Sequence, residues 1–80
     1  MKYKRIIYYD SHCLAVINQS GEIRRLFTPF MVNCIKSIDD IEINSTVYVD
    51  QVFDDPVHLL NYLIGGKIYN YSNFRITINF

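Results

Sequence analysis

The sequence predicts an all-β domain, mostly antiparallel, that folds as a small barrel or a strongly bent sheet of SH3-like size. Two observations support this fold class. Twelve Ile and six Val occur among the 80 residues, and β-branched side chains favour the pleated surface of a sheet. Apolar and polar residues also alternate over short segments that turn residues separate. A chain of this length makes one domain, which we expect to span residues 1–80.

The N-terminal half contains three strand patterns. Residues 2–9 alternate between apolar and polar side chains and lead into a turn rich in Asp and Ser. Residues 13–18 are apolar almost throughout, which is typical of a central strand covered on both faces. A third strand is predicted over 22–27, where the alternation is interrupted and indicates a bulge near Arg24 and Arg25.

Two segments of the chain fit either a strand or a helix. Residues 29–37 begin at Pro29 and follow Thr28, a pair that can open a helix, but they contain β-branched residues that favour a strand. Residues 57–64 follow Asp-Pro and precede Gly65, which would also frame a short helix. We expect strands in both segments, and an α+β fold with helices near 29–37 and 57–64 is the alternative. Between them, residues 41–53 have the period of a strand, with a bend near 44–46.

The clearest strand patterns lie at the C-terminal end. Residues 74–80 alternate without interruption between an apolar face and a polar face. Residues 67–71 form the strand before it. Gly65 and Gly66 can both adopt the positive φ angles of a type I′ turn, so we expect a hairpin between residues 59–64 and 67–71.

The charges are unevenly distributed along the chain. Residues 1–37 carry six basic and two acidic side chains, a balance of +4, and residues 38–80 carry two basic and six acidic ones, a balance of −4. The net charge of zero argues against a nucleic-acid binder that relies on bulk charge. The two charged halves either attract each other within the fold or create a bipolar surface suited to self-association.

The sequence predicts a cytoplasmic protein without a membrane partner. The basic N-terminal segment lacks the apolar core of a signal peptide, and no apolar run approaches the length of a membrane span. Ile, Asn, Tyr and Lys, whose codons are rich in A and T, make up 30 of the 80 residues. This composition favours a bacterial or phage origin, and a phage-encoded protein would lie in the virion or the host cytoplasm.

No residue pattern predicts catalysis, a metal site or a cofactor. His12 and Cys13 are adjacent, so in a strand they would point to opposite faces and would not form a Cys-His nucleophile. These two residues, Cys34 and His58 lack the closely spaced ligand pairs of structural zinc sites. We therefore expect a non-enzymatic protein with no small-molecule substrate, whose two cysteines are reduced core thiols.

Tyrosine and basic residues are the best candidates for a binding site. Seven Tyr exceed what a core of this size needs, and Tyr favours rims and interfaces because its hydroxyl group requires a partner. Three of the candidates share a face if residues 67–71 form a strand, and the others lie in the predicted strands around them. The candidate binding residues are Lys67, Tyr69, Tyr71, Arg75, Arg24 and Arg25.

The predicted function is that of a small interaction module. It would present a Tyr- and Arg-bearing sheet face or an edge strand, such as 74–80, to a protein partner or to another copy of itself. An accessory protein of a phage or mobile element, either an inhibitor of a host protein or a virion component, fits this size and composition. The alternative function is a small β-barrel that binds single-stranded nucleic acid by stacking bases on its tyrosines.

Overall fold

The computed structural model describes residues 3–77. This part of the chain is built from short strands, most of which are joined by tight turns. A single turn of 3₁₀ helix, Tyr71–Asn73, joins the last two strands. The strands are β1 Tyr3–Asp10, β2 Cys13–Asn18, β3 Ile23–Phe27, β4 Phe30–Cys34, β5 Thr46–Val49, β6 Gln51–Asp55, β7 Leu59–Ile64, β8 Lys67–Asn70 and β9 Phe74–Ile76.

The strands form three antiparallel sheets of three strands each, which confirms the predicted all-β fold class. The sheet orders are β1–β2–β3, β5–β4–β9 and β6–β7–β8. The sheets do not close into a barrel, so that part of the prediction is wrong. The reason lies in the connection from β3 to β4, because β4 pairs with β5 and β9 and not with β3. The chain therefore changes sheet at this point without continuing the hydrogen-bond ladder.

Both segments that fitted a helix are strands. Residues 29–37 contain β4, whose residues alternate between buried and exposed and which pairs on both sides. Residues 57–64 contain β7, the central strand of its sheet, and Leu60, Tyr62 and Ile64 point into the core from it. Helices in these segments would forfeit both the pairing and this burial, so the α+β alternative is wrong.

The remaining strand predictions hold with changes at their ends. The strand predicted over 41–53 is divided into β5 and β6 at Asp50, and residues 41–45 lie in turns and a bridge. The predicted bulge near Arg24 and Arg25 is wrong, because β2 and β3 pair without a register shift. The shifts occur instead within β1. Of the strand predicted over 74–80, β9 covers the first three residues, and positions 78–80 lie outside the described residues.

The core is filled by one face of each sheet. Tyr62 from β7 packs edge-on against Phe30 from β4, with ring centroids 5.9 Å apart, and its ring also lies 6.2 Å from that of Phe74 in β9. Tyr69 packs against Phe74 at 6.1 Å, which adds β8 to the cluster. From the first sheet, β2 contributes Leu14 to the same core. Burying each such large side chain stabilises the fold by about 1.5–3 kcal/mol.

The predicted hairpin turn at the two glycines is confirmed. Gly65 has a φ of 57° and Gly66 a φ of 83°, and Ile64 pairs directly with Lys67 across them. These are the two positive φ angles of a type I′ turn. A Cβ atom at either glycine would meet no atom within 4 Å, so the requirement for glycine comes from the backbone conformation alone.

The double substitution Gly65→Val and Gly66→Val is expected to destabilise the protein by about 2–4 kcal/mol, since a left-handed backbone costs about 1–2 kcal/mol for each L-residue. Urea denaturation would measure this loss. The matched control is Gly65→Asn with Gly66→Asn, because Asn tolerates positive φ and should destabilise the protein less. Equal stabilities of the two double variants would contradict the turn assignment.

The turn between β6 and β7 is held by a carboxylate. Asp55 Oδ1 accepts hydrogen bonds from the backbone N–H groups of Val57 and His58, at 2.8 and 3.0 Å, and its Oδ2 accepts one from Asn61 Nδ2 at 2.8 Å. These bonds, that from Val57 first, lower the pKa of Asp55 from 3.8 to about 2. The capping signal at Asp55 is therefore real, but Leu59, with a φ of 72°, turns the chain into a strand.

Because the pKa of Asp55 is lower in the folded protein than in the unfolded chain, the ionised carboxylate stabilises the fold above about pH 4. This contribution should be lost as the pH falls from about 4 to about 2. Melting temperatures measured across this range should therefore fall more steeply for the wild type than for Asp55→Asn, which does not titrate. Parallel curves for the two proteins would mean that the charge of Asp55 contributes nothing to the turn.

Candidate protein-binding face

The first sheet has two apolar faces, and only one of them lies on the core. Leu14 and Val16 of β2 belong to the core cluster. Since side chains alternate along a strand, Cys13, Ala15 and Ile17 point to the opposite face. Directly paired residues share a face, so the partners of these residues in β3, together with Arg5 and Ile7 in β1, also lie on it. Tyr9 lies at the register shift near the end of β1 and is placed on this face by its contact with Arg25. We call it the outer face, and its members are Arg5, Ile7, Tyr9, Cys13, Ala15, Ile17, Ile23, Arg25 and Phe27.

Large apolar side chains of the outer face are exposed to solvent. Tyr9 is 47% exposed, Ile23 58% and Phe27 62%. Between them, Cys13 and Ala15 are buried, although they do not belong to the core cluster. The centre of the outer face therefore consists of the small, buried side chains of Cys13 and Ala15 on β2, which we call the floor of the face. Larger, exposed apolar side chains on β1 and β3 flank this floor.

An arginine and a tyrosine meet across the middle of this face. The guanidinium carbon of Arg25, on β3, lies 4.6 Å from the ring centroid of Tyr9, on β1. Because β2 runs between these strands, the pair spans β2 and covers the small residues of the floor. A cation–π contact at an exposed site is worth about 0.5–1 kcal/mol, so it favours one arrangement of both side chains. Tyr and Arg are also enriched among residues that dominate protein-binding energies.

The strand β3 contributes an open backbone edge. Asn18 N–H donates to the carbonyl of Glu22 and Thr28 N–H donates to the carbonyl of His12, so even-numbered residues exchange hydrogen bonds with β2. By the alternation of an antiparallel ladder, the N–H and C=O groups of Ile23, Arg25 and Phe27 point away from β2. Within residues 3–77, β3 lies at the edge of its sheet. The residues with free backbone groups are thus those whose side chains lie on the outer face.

The six predicted binding residues lie in three different sheets and in the 3₁₀ turn. Arg24 and Arg25 are both exposed on β3, but only Arg25 lies on the outer face. Arg75 is exposed in β9, where it pairs with Asn33 of β4. Lys67 is exposed at the hairpin of the third sheet.

The two tyrosines among the predicted binding residues, Tyr69 and Tyr71, pack against the core. Tyr69 is only 7% exposed, and its hydroxyl group donates to Asp39 Oδ2 at 3.0 Å. Burial, with this hydrogen bond as a second cause, raises the pKa of Tyr69. Tyr71 begins the 3₁₀ turn and packs half-buried against the core. Tyr69 therefore offers no free ring for stacking a base or a partner's side chain.

Tyr9, Ile23 and Phe27 were not among the predicted binding residues. A signal for two of them exists, because Ile23, Arg25 and Phe27 alternate strictly. The bulge assumed near Arg24 obscured this pattern, since a bulge would have moved Phe27 to the other face. Nothing in the spacing of Tyr9 indicates its contact with Arg25, which depends on how three strands pair.

The residues considered for catalysis or metal binding lie in separate environments. His12 Nδ1 is 3.1 Å from Thr28 Oγ1, and His58 is paired with Asp55 at 3.3 Å. Cys13 and Cys34 are both buried free thiols. Across residues 3–77, no group of three or more His, Cys, Asp or Glu side chains is placed to hold a metal ion. In the same part of the chain, no helix has the length and apolarity that a membrane crossing requires.

Comparison with family models, with curated proteins and with solved structures finds no match to this chain.

Proposed function

We propose that this protein is a non-enzymatic interaction module that binds another protein through the outer face of its first sheet. The observation that carries the proposal is the exposure of Tyr9, Ile23 and Phe27 on one face, around the Arg25–Tyr9 pair. Soluble proteins rarely leave large contiguous apolar patches in water, and such patches often mark interaction sites. Placing these groups against a partner would remove their apolar surface from water.

The composition of the outer face supports a protein partner over a nucleic acid. A single-stranded nucleic acid requires successive exposed aromatic rings along a basic groove. The tyrosines that would have formed such a platform, Tyr69 and Tyr71, pack on the core. The outer face offers aliphatic groups, two aromatic rings and two arginines, a mixture of residues found at the centres of protein interfaces.

The biological setting of this module is also part of the proposal. We take it to act in the cytoplasm of a bacterial or phage-infected cell, as an inhibitor of a host protein or a virion component. We infer this setting from the length of the chain and from its abundance of residues with A- and T-rich codons. The opposite charges of the two halves of the chain would allow self-association as one form of the interaction.

The double variant Ile23→Ser with Phe27→Ser should lose partner binding without losing the fold. Tagged wild type and variant would be used to capture proteins from a bacterial lysate, with quantitative mass spectrometry as the readout. Truncation of a single apolar hot spot costs about 2 kcal/mol or more, so the affinity for a specific partner should fall about 30-fold or more. Analytical ultracentrifugation of both proteins would detect a second copy as the partner.

The matched control is Val57→Ser with Ile68→Ser, which removes two apolar side chains of similar or greater exposure that lie outside the outer face. It should retain both capture and self-association, and circular dichroism should confirm that all three proteins fold alike. If the two double variants bind equally well, or lose binding equally, the outer face is not the interaction site.

A further inference from the structure

We propose that the partner presents an extended acidic segment, which pairs with the free edge of β3 and becomes a fourth strand of the β1–β2–β3 sheet. This inference rests on the proposed function and names the kind of segment that the same face binds. It follows from three properties of β3: its open backbone groups, the pattern of its outward side chains and the charge of Arg25.

The backbone of β3 provides the pairing sites. Ile23, Arg25 and Phe27 direct an N–H and a C=O group away from β2, which gives three donors and three acceptors in line. An extended segment that pairs with them satisfies its own alternate backbone groups at the same time. Backbone pairing at a sheet edge does not distinguish one sequence from another. The side chains of β3 must therefore select the segment.

The side chains of β3 specify an alternating pattern in the segment. Residues opposite Ile23 and Phe27 would lie on the outer face beside exposed apolar groups, so apolar residues are favoured there. The residue between them would lie opposite Arg25. No carboxylate of the described residues forms an ion pair with Arg25, so an acidic residue opposite it would gain a charge partner. The expected pattern is apolar–x–acidic–x–apolar.

The same arginine disfavours a second copy of the chain at this edge. An antiparallel pairing of β3 with its own copy, centred on the strand, would place Arg25 directly opposite the Arg25 of the other molecule. Like charges that face each other across strands are destabilising, and charged edge residues are a known protection against self-pairing. Arg25 therefore disfavours pairing between the β3 strands of two copies and favours pairing with a negatively charged segment.

A library of extended peptides displayed on phage tests this inference, with the intact protein immobilised as bait. Peptides selected on the wild type should be enriched in Asp or Glu midway between two apolar residues. The charge-reversal variant Arg25→Glu should select Lys or Arg at that same position. A selected peptide should bind the matching protein about fivefold or more tightly than the mismatched one, because the swap exchanges an attraction for a repulsion. A consensus whose central charge is the same for both baits would overturn the proposal, as would the absence of any enriched consensus.

A second measurement separates strand pairing from contact by side chains alone. The selected peptide would be synthesised with backbone N-methyl groups on either its odd or its even residues. One set should abolish binding and the other should leave it nearly unchanged, because alternate amides face β3. Equal effects of the two sets would overturn strand addition. If partner capture still depends on Ile23 and Phe27 while the peptide results fail, the proposed function stands and only the acidic-strand partner is wrong.

Discussion

The packing of Tyr62 between Phe30 and Phe74 is the interaction on which the rest of the structure depends. It joins β7 to the central and edge strands of the second sheet, and β2 of the first sheet completes the same core. A chain of 80 residues can build only one such core, and each sheet contributes one face to it. The opposite face of each sheet and several strand edges therefore remain at the surface. The side chains that they carry decide whether they can bind another molecule.

The outer face of the first sheet differs from an inert surface in one respect. Its β2 residues, Cys13 and Ala15, are as buried as core residues, while Ile23 and Phe27 beside them are mostly exposed. Such a face costs solubility if it stays uncovered and gives binding energy if a partner covers it. Arg25 limits the cost to solubility in two ways. Its charge opposes pairing of β3 with the β3 strand of another copy, and its contact with Tyr9 covers the small side chains of the floor.

The sequence was most informative where period and turn chemistry agreed, as at β8 and the Gly65–Gly66 turn. It was ambiguous over 57–64, because a short apolar run after a capping Asp fits both a helix and a strand, and only the pairing of β7 on both sides decides between them. The outer face was harder to predict for a related reason. Residues 13–18 are apolar on both sides, so nothing local indicates which side meets the core and, through register, which side of β3 faces outward.

The central claim is that the backbone edge of β3 is open and in the register described. Residue-resolved hydrogen exchange measured by NMR tests it directly in the isolated protein. The amides of Arg24, Leu26 and Thr28, which point toward β2, should exchange slowly, while those of Ile23, Arg25 and Phe27 should exchange many times faster. Slow exchange at all six amides would show that this edge is already covered and would contradict the account.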